Sequence, residues 1–95
     1  MGIQAYSTLA VSSTAIAIPA AIRNLKVDFA LVTVETDQVR FRTDGTDPTA
    51  SEGHLLNVGD ALELHDMQEV QNIRFIRVTA DATLKISTGR AKTYR

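Results

Sequence analysis

The chain contains no cysteine and no tryptophan, and only two tyrosines, three phenylalanines and two prolines in 95 residues. Without a thiol there are no disulfide staples, zinc fingers, thiolate catalysis or iron–sulfur clusters. Neither sign of charge dominates, since ten Lys and Arg face eleven Asp and Glu for a net charge of −1. Such a balance lacks the basic excess that drives electrostatic nucleic-acid binding, and it does not describe an acidic tail protein. No run reaches the roughly 18 apolar residues of a membrane span. Residues 1–19 lean apolar but are studded with Ser and Thr, and they lack the basic start and compact apolar block of a signal peptide. What is present is a 44% hydrophobic, globular composition in a length that suits one domain with one modest core.

Period-two alternation in short runs, separated by turn residues, is the strongest pattern. Leu25, Val27, Phe29 and Leu31 share one face of a run, while Ala30, Val32 and Val34 make the opposite face apolar as well. A strand apolar on both faces is expected to be central and covered on both sides. After the polar link Glu35–Gln38, Val39 and Phe41 alternate with Arg40 and Arg42, and so short a link predicts a hairpin between the two runs. Leu55–Leu56, Leu62/Leu64, Ile73–Val78 and Leu84/Ile86 mark further strands, and Gly89 is expected to end the last. Residues 67–70 and 20–25 each read as a helical turn or a loop, and no 11-residue window carries a 3.6-residue period. The predicted fold is all-β. It is a single small β-sandwich or jelly-roll-like barrel of about seven to eight antiparallel strands, with at most one short helical turn. The domain spans 1–95, with residues 1–20 as an N-terminal arm or edge strands.

Catalytic patterns are thin. His65 lies near Asp60, Glu63 and Asp66, yet no His-x-x-x-His spacing supports a metal site, and a solvent-facing strand position accounts for it. His54 sits in a loop, and no nucleophile elbow organises the Ser, His and Asp residues into a triad. Asp44, Asp47 and Glu52 around Gly45 superficially suit calcium, but their spacing is not that of an EF-hand, and Asp in turns bonds its own backbone. Gly-rich phosphate loops are missing from the sequence. Arg40, Arg42, Arg74 and Arg77, with Lys85, Arg90, Lys92 and Arg95, could line a basic stripe. Phe41 and Phe75 alternate toward the core, however, and offer no stacking platform for single strands. A solvated face or a polar subunit interface is the reading preferred for these arginines. Sugar stacking wants exposed aromatics, and Tyr6 and Tyr94, the only tyrosines, both lie near the chain ends. No enzyme activity, cofactor or metal is expected.

One stretch is more specific. Ala30–Thr36 runs into Val39–Arg42 and then Asp44-Gly45-Thr46-Asp47-Pro48-Thr49-Ala50-Ser51-Glu52-Gly53-His54-Leu55-Leu56. Gly59-Asp60, Leu62–Leu64, Ile73–Ile76 and Ala82–Ile86 follow. This order resembles a family of small virion proteins of tailed bacteriophages, described variously as head decoration, cement, head-fibre or uncharacterised structural proteins. The resemblance covers residues 25–88, and the segment Asp44–Gly53 is its most distinctive part. A further apolar strand would be expected after Gly89, where this chain has a short basic tail.

The resemblance implies a non-enzymatic structural protein that decorates or cements the capsid and stabilises the head lattice. Neck or tail placement is the alternative, and a carbohydrate- or receptor-binding module is a more distant one. Implied partners are the major capsid protein or other virion proteins and further copies of the chain, a homotrimer being favoured because capsid lattices offer threefold sites. Neither nucleic acid nor membrane is expected as a partner, and the place of work is the virion, assembled in the host cytoplasm. Candidate interface residues are Asp44, Gly45, Asp47, Pro48 and Glu52 in the loop, and Arg40, Arg42, Arg74 and Arg77 on the strands. Asp44-Gly45 and Asp47-Pro48 stiffen the loop, and a stiff loop loses less entropy on docking. The apolar segment Ile3–Ile18 is expected to be hard to cover in a monomer and so to reach for a neighbour.

Overall fold

The computed structural model describes the backbone of residues 2–90 and the side chains from residue 5 to residue 90. The strands are β1 (Gly2–Val11), β2 (Ile16–Ala17), β3 (Phe29–Glu35), β4 (Val39–Arg42), β5 (His54–Leu56), β6 (Ala61–Leu64), β7 (Arg74–Arg77) and β8 (Ala82–Arg90). Two short helices, α1 (Ala20–Arg23) and α2 (Met67–Asn72), stand where a single helical turn at most was expected. Asp66 caps α2, its side chain accepting from the Gln68 amide at 3.3 Å, and this local bond stabilises a helix too short to persist alone.

The strands form two four-stranded sheets, β1-β8-β3-β6 and β2-β7-β4-β5, paired antiparallel throughout. The pairs β1·β8, β2·β7, β3·β6 and β4·β5 are nested, first strand with last and so inward. One long two-stranded ribbon rolled onto itself has this wiring, which is that of an eight-stranded jelly roll. Leu9, Val11, Ala30, Val32, Val34, Leu64, Leu84 and Ile86 from the first sheet share one core with Val39, Leu56 and Phe75 from the second. Ile18, Ile22, Val27, Val70 and Ile73, from the connections, close its end.

Strand alternation runs with the sequence pattern, but three local expectations are corrected. β3 and β4 do not form a hairpin. Both edges of β3 are taken, by β8 and β6, so the link Glu35–Gln38 carries the chain across to the other sheet, with Thr36 at a φ of 75°. β3 is central, but its outer face is covered only in part: Ala30, Val32 and Val34 face the core, while on the outside Phe29 is buried, Leu31 and Thr33 are half-buried and Glu35 is exposed. Gly89 does not end the last strand. It pairs with Phe29 on one side and Ile3 on the other, and β8 continues to Arg90 because a glycine opposite an aromatic leaves room for the ring.

The N-terminal segment covers itself. β1 lies along β8 of its own chain, and Leu9, Val11 and Ile18 are buried rather than left for a neighbour. Strand direction alternates along the ribbon, so the β4–β5 loop, α1 and α2 gather at one end of the sheets. Three contacts hold that end: Gln71 donates to the Arg23 carbonyl at 2.8 Å, Arg90 to the Leu25 carbonyl at 3.4 Å, and Arg74 lies 3.9 Å from Asp47. The opposite end carries tight turns, where Gln38 donates to Asn57 at 2.6 Å and the Arg77 amide to the Ser12 carbonyl at 3.1 Å.

Candidate interaction surface

The register of the second sheet decides where the arginines go. Val39 pairs with Leu56 and Phe41 with Phe75, both rows facing the core. Arg40 and Arg42 therefore project from the outer face, and Arg74, paired with Arg42, joins them there. Arg77 does not. It pairs with Val39, on the opposite face of the sheet at the far strand end, and binds Asp81 at 2.5 Å.

The three gathered arginines hold the loop between β4 and β5. Arg40 donates from Nε to the Ala50 carbonyl and from Nη1 to the Gly53 carbonyl, both at 2.9 Å. Arg42 meets Asp44 with two bonds, Nε to Oδ1 at 3.2 Å and Nη2 to Oδ2 at 2.5 Å. Arg74 donates to the carbonyls of Gln71, Asn72 and Ile73, which satisfies the last turn of α2, while its Nε faces Asp47 at 3.9 Å. A planar guanidinium can bond two separated carbonyls at once, which a point-charged ammonium does less well.

The loop itself is folded. Thr49 and Glu52 bond each other's backbone at 2.9 and 3.2 Å, the Thr46 amide bonds Asp44 Oδ1 at 3.2 Å, and Pro48 is buried. Gly45 at a φ of 81° faces open space, whereas Gly53 at 135° is enclosed: a Cβ there would lie 3.1 Å from the Phe41 carbonyl oxygen and 3.2 Å from Pro48. The hydrogen bond from Arg42, with the Thr46 amide second, holds the Asp44 carboxyl below the ordinary carboxylate range, and the same bond holds Arg42 above its usual value. What the loop presents is a rim of exposed Asp44, Gly45, Thr46, Asp47, Thr49, Ala50, Ser51 and Glu52.

The structure thus brings eight of the nine candidate residues together and sends Arg77 elsewhere. It also gives the arginines a different task. Arg40 and Arg42 are bonded within the chain by loop carbonyls and the Asp44 carboxylate, and Arg74 by the carbonyls at the end of α2. The Ala50 and Gly53 carbonyls are missed by side-chain motifs because every residue has one. Gln71, which ties α2 to the end of α1, carried no signal beyond its polarity.

The remaining polar clusters have separate duties. Asp60 accepts from the Asn57 amide at 2.8 Å, Asp66 caps α2, and exposed His65 lies 3.2 Å from Glu63 with its ring 5.6 Å from that of Phe29. The His54 ring lies 5.2 Å from that of Phe41. Among the described residues there is no group of three potential metal ligands and no pocket. Lys92, Tyr94 and Arg95 lie outside the described residues. Comparisons with protein-family models, with curated proteins and with solved structures gave no match for this chain.

Proposed function

We propose that this chain is a non-enzymatic structural protein of a tailed-phage particle that decorates or cements the capsid, docking through the rim of the loop 43–53. The observation that carries the reading is the clamping of that loop by Arg40 and Arg42 onto the outer face of a sheet, with Arg74 beside it. A loop ordered before it docks gives up little entropy on binding, so a modest contact area suffices for a repeated, many-copy attachment. The distinctive segment of the family resemblance, Asp44–Gly53, is this same loop, and jelly-roll wiring is frequent among capsid-associated domains. Each copy buries surface across neighbouring shell subunits and stabilises the assembled lattice by binding it in preference to the dissociated subunits.

The test is cryo-electron microscopy of particles made with and without this chain. Regular density over the head lattice that vanishes without the chain supports the reading, with the loop 43–53 at the shell contact. Density confined to one vertex or to the tail places the chain in the neck or tail instead, and particles lacking any such density overturn the virion assignment.

A further inference from the structure

β1 is an edge strand of ten residues, Gly2–Val11, and it contains no charged residue and no proline. Exposed edges carry unpaired backbone donors and acceptors, and proteins guard them with short strands, charges, prolines or bulges. The other edges of this molecule are guarded in that way. β6 spans four residues, carries Glu63 and lies between Asp60 and Asp66, while β2 has two residues and β5 three. On β1 the sole device is a register irregularity between Ile3 and Ala5, which leaves Ala5–Val11 in regular pairing with β8. Among the described residues nothing pairs with the outer edge of this segment.

We propose that the outer edge of β1 is a homodimer site, where the same strand of a second copy pairs antiparallel across a twofold axis at Thr8 and joins two four-stranded sheets into one of eight. Thr8 is the midpoint of the regular segment, so this register uses all of it. It sets Thr8 against Thr8, a favourable cross-strand pair. It also sets exposed Tyr6 against Ala10, Ser7 against Leu9 and Ala5 against Val11, a large residue facing a small one in each case. No charge meets a like charge along the seam, since the strand carries none. Pairing β1 with β6 of another copy would instead propagate an open filament, and the carboxylates around β6 oppose it. The seam is separate from the loop 43–53, so the inference stands whether or not the chain decorates a capsid.

Sedimentation equilibrium of the free chain tests it. The expected mass rises with concentration from 10.3 kDa toward twice that value and no further. Thr8→Glu places two carboxylates face to face across the axis, while within the chain the new carboxylate stands beside Lys85, whose Nζ reaches Thr8 Oγ1 at 3.1 Å. Thr8→Lys places two ammonium groups there. Each variant alone is expected to keep the wild-type far-UV circular dichroism and to remain monomeric where the wild type pairs, and an equimolar mixture of the two is expected to pair again. In the wild type, hydrogen exchange at the β1 amides is expected to slow with concentration, which tests the seam without any substitution. A wild-type chain that stays monomeric up to about 1 mM, or forms trimers or an open series, overturns the proposal. So does pairing that folded Thr8 variants leave intact, a mixture that fails to associate, or protection that appears away from β1.

Discussion

Replacing Arg40 by Gln removes both bonds that tie the Ala50 and Gly53 carbonyls to the sheet. Hydrogen bonds to charged groups contribute about 1.5–3 kcal/mol; the bond to Gly53 is part-buried and the bond to Ala50 is exposed. Arg40→Gln is therefore expected to lower global stability by about 2 kcal/mol, read from urea midpoints, and to make the loop 43–53 the first site of limited proteolysis. The two loop glycines separate conformation from crowding. Gly45→Ala meets open space and carries only the left-handed penalty, about 1 kcal/mol. Gly53→Ala adds collision with Phe41 and Pro48 to an unfavourable φ, and is expected to cost about 3 kcal/mol. Equal midpoints for the two variants would contradict the packed loop. Asp44 links the same loop to pH. Its carboxyl is held below the ordinary range in the folded chain, so its contribution is full above the ordinary Asp value and is lost as pH falls through the lowered one. The Thr46 amide, which bonds Asp44 Oδ1 at 3.2 Å, is expected to keep its chemical shift from neutral pH down to the ordinary carboxylate range and to move only on further acidification. Asp44→Asn should abolish that step.

At the scale of the element, the arch between β3 and β4 holds a β-branched residue, Thr36, at a φ of 75°. Glycine relieves that strain at some cost in unfolded-chain entropy. Thr36→Gly is expected to stabilise by about 1 kcal/mol, raising the thermal midpoint, and a lowered midpoint would count against the strained arch. This arch is also where local pattern misleads. The alternation of Ala30–Val34 and Val39–Phe41 made both strands legible, and the inward Val39 and Phe41 made the outward arginines legible too. A short polar link looks the same whether it closes a hairpin or crosses between sheets. The choice is made by β8 and β6, which occupy the two edges of β3 from elsewhere in the chain. The true hairpin is the β4–β5 pair, joined by the longest loop, and its folded state depends on carbonyls that no side-chain pattern displays. Gly89 read as a breaker because its partner, Phe29, is sixty residues away in sequence.

At the scale of the whole molecule, nested pairing makes the first strand and the last one neighbours, with Gly2 opposite Arg90. Contacts between the chain's ends close a long loop before they contribute stability, and non-local β topologies fold slowly for that reason. Stopped-flow refolding is expected to fall in the range of about milliseconds to seconds, with one cooperative equilibrium transition because both sheets share one core. Separate transitions for the two sheets would show that they are independent. The same pairing gives the molecule a direction. Residues 2 and 90 sit at the end that carries α1, α2 and the arginine-clamped loop, while the turns around Gly59 and Thr79 sit at the other. A dye or peptide inserted at the plain end would test the proposed docking through the loop 43–53, because it leaves that loop unaltered. Joining residues 2 and 90 through a short linker, with new termini opened near Gly59, should yield a permuted chain whose free ends point away from the loop.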